Sequence, residues 1–310
     1  MITLNLYYLI KPLIPRRVQL YIRRFIALNK RKIYKDIWPI AENCRKLPLN
    51  WHGWPSRKQF ALILTHDVET ANGYKKVQDL MQLEKQLGFR SSFYFVPERY
   101  AIAKADLMQI KKEGFEIGVH GLKHDGKLFK DHKTFMERAP QINRYLEDWE
   151  AVGFRAPSML HNLEWIQALN IQYDASTFDI DPFEPQPEGV GTIFPFIVKS
   201  KTNHNFYVEL PYTLPQDSTL FVILKEKSID IWLNKLNWIA GNGGMALICT
   251  HPDYINFGRT PLKGDEYPAS YYTDFLNYVL THFKGQFWHV LPNELASFWQ
   301  NNKNHFDSIS

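Results

Sequence analysis

The sequence predicts an α/β fold, a barrel of parallel strands preceded by an N-terminal helical extension. Three observations lead there. From Phe60 onward, short apolar runs alternate with amphipathic stretches, the rhythm of strand–helix–strand units that pair in parallel. A length of 310 residues exceeds an ordinary single domain but suits an α/β barrel with extensions, and 45% hydrophobic residues supply a large core. Polar residues gather at the C-terminal ends of the strand-like runs, the face of a parallel barrel where active sites sit.

Residues 1–58 form a distinct extension and linker. Leu13, Val18, Tyr21, Ile22, Phe25 and Ile26 recur at helical spacing, and Arg16, Arg17, Arg23 and Arg24 interleave with them, so the segment reads as an amphipathic helix with cationic edges. Such a helix either lies on an anionic membrane surface or packs on the following domain with its basic face solvated, and spacing leaves both open. The stretch Pro39 to Pro55 lacks periodicity and reads as a linker. The barrel is expected over 59–300, with a tail at 301–310. Strands are predicted at FALILT (60–65), SSFYFV (91–96), FEIGVH (115–120), VGFRA (152–156), IQYDAST (171–177), ALICT (246–250) and QFWHVL (286–291). Helices are predicted over 74–87, ending at Gly88, then 104–113, 131–148, 161–170, 228–240, 267–283 and 293–300. Six prolines make 179–217 irregular, with hairpins inserted into the barrel.

Composition removes several classes of function. Cys44 and Cys249 stand in no CxxC spacing, which argues against a disulfide framework or a cysteine-built zinc site, so a metal would be held by histidine and carboxylate. The net charge of +5 is concentrated in Lys11, Arg16, Arg17, Arg23, Arg24, Lys30, Arg31 and Lys32, a local feature rather than a nucleic-acid footprint. No run of 18 apolar residues occurs and the N-terminus does not read as a secretory signal, so a cytoplasmic location is expected, peripheral at the inner face of the membrane if residues 10–32 bind it. Gly241 to Gly244 reads as a helix-to-strand turn, since no Lys-Ser or Lys-Thr follows to make a phosphate loop.

The chemistry gathers in a few segments. His120 and His124 in VHGLKHDG are four residues apart, and on a helical turn that spacing aims both imidazoles one way, as two ligands to one metal require. THDVE supplies Asp67 and Glu69 on one face of a continuing strand. One carboxylate can complete a three-ligand site while the other stays free as a general base. His66 alternates to the other face and reads as structural; His161, His204, His282, His289 and His305 have no partner motif. ELPYTLPQD (209–217) is either a substrate-facing wall or a rigid connection.

THDVE, HGLKH, GFRAP, YDAS and ICTHPD follow one another in the order of five motifs of the polysaccharide deacetylases, the NodB-homology group of carbohydrate esterase family four, which the chain resembles over about 60–295. The resemblance implies a distorted (β/α)7-type barrel and metal-dependent removal of an N-acyl group, chiefly N-acetyl, from an amino sugar in a glycan or lipid-linked precursor. It implies Asp67 as catalytic base, His120 and His124 as metal ligands, Arg155 as the arginine that orients the base and His251 as general acid. Asp174 and Ser176 would line the pocket or support His251, with Asp253 as another partner for it. Val68 departs from the common first motif, which has adjacent aspartates. A branch of the family places its second acid one residue later, which makes Glu69 the third ligand. Zinc suits this shell, with Co2+, Ni2+ or Mn2+ as alternatives, and would polarise the acyl carbonyl and acidify water. Two other readings are an O-acetyl esterase and a catalytically silent glycan-binding homologue; the complete set Asp67, His120, His124, Arg155 and His251 argues against the second.

Overall fold

The computed structural model describes residues 15–200, 205–259 and 261–302. Lys11, Leu13, His204 and His305 lie outside the described residues, as do the start of the 10–32 segment and 303–310 of the tail.

Helix α1 (Arg16–Ile33) precedes a parallel sheet built from β1 (Phe60–Val68), β2 (Ser92–Phe95), β3 (Glu116–His120), β4 (Gly153–Arg155) and β5 (Tyr173–Asp174), side by side in chain order. Helices α2 (Val77–Gln86), α3 (Lys104–Lys112) and α4 (His132–Asp148) make the early crossovers. β6 (Phe196–Lys199) and β7 (Phe206–Glu209) form an antiparallel hairpin, and β7 joins β5 in parallel. After α5 (Asp230–Gly241), β8 (Met245–Thr250) pairs along β1 from Ala61 to His66. β9 (Ile255–Asn256) and β10 (Tyr267–Pro268) make a separate small sheet, α6 (Ser270–His282) follows, β11 (Phe287–His289) lies beside Phe60–Leu62, and α7 (Pro292–Asn301) ends the domain. Parallel bridges Phe178–Tyr212 and Leu214–Ile248 carry pairing from beyond β5 and β7 across to β8, which curls the sheet into a distorted barrel.

Residue chemistry explains this arrangement. All nine residues of β1 are buried, as expected for a parallel strand covered on both faces. Asp131 caps α4, accepting from the Thr134 amide at 2.7 Å. Glycine is required inside two strands because tyrosines cross the barrel there: a Cβ at Gly118 would overlap the Tyr94 ring, and one at Gly153 the Tyr173 ring.

Four expectations are corrected. The helix predicted over 74–87 is split, because the Thr70 hydroxyl caps a separate turn at Ala71–Tyr74 before α2 begins at Val77. The helix predicted over 161–170 shrinks to one turn, Leu163–Ile166, capped by Asn162. The Pro39–Pro55 linker is packed rather than free: buried Trp54 donates from Nε1 to the Gly243 carbonyl at 2.8 Å, and Trp51, Trp54, Phe194 and Trp299 cluster ring against ring. In α1, Gln19 and Ala27 face the domain while Tyr21 (74% exposed) and Phe25 (63%) face out, so the apolar stripe is not the packed face. Polar ties hold the helix instead: Lys30 Nζ donates to the Pro182 carbonyl at 2.6 Å and Arg31 pairs with Glu226. The helix rests on Ser218–Leu224, a wide π-helical segment that the periodicity did not reveal.

Lys235 pins the N-terminal segment to the barrel, since its buried ammonium reaches both the Pro39 carbonyl and Asp179, the latter at 2.5 Å. Removing one partner of a buried pair strands the other charge, so Lys235→Ala is expected to lose about 3–5 kcal/mol in chemical denaturation and to speed amide exchange around 38–45.

Candidate active site

The strand ends bring five of the expected residues around one cavity of about 530 Å³: Asp67, Glu69, His120, His124 and His251 all line it. Asp67 is the second-last residue of β1 and Glu69 follows that strand, so both project from the same end of the barrel. His120 ends β3. His124 is delivered by a tight turn rather than the helical turn the spacing suggested, since Gly121 and His124 both have positive φ, 60° and 53°. The imidazole centroids are 5.2 Å apart.

Glu69, His120 and His124 each offer a ligand atom within 4.8 Å of the others, a group able to hold a metal ion. His120 and Glu69 are oriented from behind. His120 Nδ1 lies 3.0 Å from the Arg155 carbonyl, to which it donates, leaving the Nε2 lone pair free for coordination. Burial lowers the His120 pKa to about 4, more than Asp67 raises it, so the ring is neutral at pH 7 as a ligand must be. The Glu69 carboxylate faces His124 Nε2 at 2.9 Å and accepts from the Tyr254 hydroxyl at 3.2 Å, while its backbone amide donates to Asp253 at 2.9 Å. Burial would raise the Glu69 pKa, but the facing His124, together with His251 and His120 nearby, outweighs it and holds the carboxyl well below its usual range. The residues therefore fit a divalent ion: one carboxylate and two imidazoles with an open side toward the cavity.

Asp67 is not part of that group. Its Oδ1 accepts from Arg155 Nη1 at 2.9 Å, and its Oδ2 lies 3.8 Å from His120 Nε2 and 4.0 Å from His251 Nε2. Burial would push the carboxyl pKa up; Arg155, then His120 and His251, reverse this and hold it at about 2. Arg155 is itself fully buried, with Nε on the Ala175 carbonyl at 2.8 Å, Nη1 also on Thr65, and its guanidinium 4.5 Å above the Tyr94 ring.

The partner of His251 is a residue the motifs did not single out. His251 Nδ1 donates to Asp217 Oδ1 at 2.6 Å, and Asp217 Oδ2 accepts from the His251 amide at 2.8 Å and the Tyr267 hydroxyl at 2.9 Å. Burial alone would lower the His251 pKa, but Asp217, aided by Glu69 and Asp67, overrides it and lifts it to about 10, so Nε2 carries a proton at neutral pH. Asp217 is the terminal acid of ELPYTLPQD; Gln216 beside it lines the cavity, so this segment is both wall and support. Neither Asp174 nor Ser176 reaches the cavity or His251: Ser176 donates to Asp174 at 2.6 Å and accepts from the Ala156 amide at 2.8 Å, bracing the chain that carries Arg155. Asp253 does line the cavity but receives the Glu69 amide and the Thr70 hydroxyl, not the His251 ring. His66 is structural, bound by Thr250 at 2.7 Å and Glu84 at 2.8 Å behind the strand.

No family sequence model and no curated relative matches the chain. In three dimensions it is similar to a protein from Pseudomonas aeruginosa PAO1 described as a probable polysaccharide deacetylase, with 16% identity over 84% of this chain and 97% of the other at a TM-score of 0.64. A protein from Mycobacterium smegmatis described as a putative polysaccharide deacetylase is 18% identical over 83% and 94% at 0.62, and the PuuE allantoinase 16% over 83% and 94% at 0.63. The site lies at the strand ends of a barrel of one recognised type. The chain has the fold that these polysaccharide deacetylases and the allantoinase share.

The two shifted pKa values set a pH window. Asp67 has a depressed pKa, so its contribution to stability is present above the unfolded value near 3.8 and is lost as pH falls through about 2. His251 has a raised pKa, so its contribution is complete below about 6.5 and is lost as pH rises through about 10. NMR titration of the native chain should find His251 still protonated at pH 8, and in Asp217→Asn titrating far lower; an unmoved midpoint would remove Asp217 as its partner.

Proposed function

We propose that the chain is a metal-dependent hydrolase that removes an N-acyl group, chiefly acetyl, from an amino sugar in a glycan or lipid-linked glycan precursor. The observation that carries this is a division of labour inside one cavity. Glu69, His120 and His124 form a group suited to a cation, while Asp67, ionised and held by Arg155, stands outside that group, 3.8 Å from the His120 imidazole. Zinc is the ion this set suits, and when bound it would supply Lewis-acid polarisation of the acyl carbonyl.

The chain's own groups cover the proton transfers. Asp67 accepts the proton of the attacking water through Oδ2, the oxygen that Arg155 leaves open. Arg155 keeps that carboxylate charged and fixed in angle. His251, protonated on Nε2 and locked by Asp217, donates to the departing nitrogen, and that supply of a proton favours an amide over an ester because an amine leaves poorly without one. The fold is shared with an allantoinase, so what supports a sugar substrate is the set of sequence motifs and the wide polar cavity rather than the barrel.

Asp67→Asn is expected to keep about one equivalent of zinc by metal analysis while deacylation of an N-acetylated oligosaccharide falls about 10²–10⁴-fold; near-native turnover removes Asp67 as base. His120→Ala should lose the metal as well. Acetate released from O-acetylated but not N-acetylated glycan would favour the esterase, and a native chain that takes up no metal would favour the silent binding homologue.

A further inference from the structure

Among the described residues, none packs against the apolar face of helix α1. Val18, Tyr21, Ile22, Phe25, Ile26 and Ile33 are between 42% and 74% exposed, at spacings of three, four and seven that put them along one side. The opposite side, through Gln19, Ala27 and Lys30, lies against the domain. Among the described residues no helix is long and apolar enough to cross a membrane, so this is a surface stripe and not a span. Sixteen to thirty-three, RRVQLYIRRFIALNKRKI, holds seven lysines and arginines and no acid. An apolar stripe of this size costs solubility if left in water, and its all-cationic surroundings would repel a second copy of the same helix while matching a negatively charged surface.

The same helix reaches the reaction centre. Arg23 lines the cavity that holds Asp67 and His251, alongside Phe183, Glu184 and Val222. A body seated on α1 therefore lies beside the cavity mouth.

We propose that α1 docks on an anionic lipid bilayer through Val18, Tyr21, Ile22, Phe25 and Ile26, placing the cavity at the interface to receive an acylated amino sugar carried by a membrane lipid. Docking stands on the helix alone; the lipid-borne substrate rests on the hydrolase reading above. Apolar side chains enter the boundary between headgroups and acyl chains, the exposed Arg24 and Lys32 meet the headgroup phosphates, and Arg23 stands where the substrate's own phosphate would pass between bilayer and cavity.

The test is flotation of the full chain with vesicles of phosphatidylcholine alone and with about a third phosphatidylglycerol, in low and high salt. The native protein should float with the anionic vesicles, less so in high salt, and stay down with the neutral ones. Tyr21→Glu with Phe25→Glu, two exposed positions outside the cavity, should abolish flotation while thermal unfolding and hydrolysis of a water-soluble N-acetylated oligosaccharide stay native-like. Native protein that does not float, or a double variant that floats equally well, overturns the proposal. So does a native dimer by sedimentation that the double variant dissolves, because the stripe would then be an interface between copies. Flotation with no hydrolysis of any acylated sugar would sink the hydrolase reading and leave docking standing.

Discussion

Everything at the reaction end of the barrel is arranged around one buried anion. Asp67 has almost no contact with solvent, and an isolated carboxylate there would neutralise itself rather than stay charged. Arg155 prevents this, and Arg155 is in turn buried, so it must be held by the Ala175 carbonyl, Thr65 and the face of Tyr94. That demand extends downward through the barrel: the Tyr94 hydroxyl meets Tyr173, Tyr173 donates to Glu116 at 2.8 Å, and the two tyrosines find room only because β3 and β4 carry glycine where they cross. Burial raises Glu116 to about 8, so the chain of hydroxyls ends on a carboxyl that is largely neutral at pH 7 and adds little competing negative charge below the arginine.

A second carboxylate–cation unit, Asp217 with His251, stands on the other side of Asp67. The two units hold opposite protonation: one acid stripped of its proton, one imidazole loaded with one, with 4.0 Å between Asp67 Oδ2 and His251 Nε2. Such a pair gives a base and an acid at the same pH, which one isolated residue cannot do. His120, neutral because burial outweighs its acidic neighbour, keeps its lone pair for a third task.

Much of this was legible in the sequence, for a physical reason. Parallel strands covered on both faces must be continuously apolar until they end, so FALILT followed by HDVE marks both the strand and the point where its side chains meet the cavity. The alternation that sends Asp67 inward sends His66 outward, and the structure finds it there with Glu84. What the sequence did not reveal is chiefly long-range. Asp217 lies 34 residues from His251 in an irregular proline-bearing segment, so no periodicity ties them, and Asp174 and Asp253, nearer to recognisable motifs, drew attention instead. The orientation of α1 was hidden for another reason: amphipathic spacing tells which residues share a side, but not whether that side faces protein, and here the polar ends of Lys30 and Arg31 decide it.

The wide-turned segment Ser218–Leu224 begins directly after Asp217 and is the floor on which α1 rests. Its first backbone amide, on Ser218, binds Asp217 Oδ1 at 2.7 Å, the same oxygen that holds the His251 ring. Helix α1 and the proton on the His251 ring are thus separated by a single stretch of backbone. Exchanging Leu220, buried in that segment and outside the cavity lining, would shift the stretch and alter how firmly His251 keeps its proton without touching a group in the cavity.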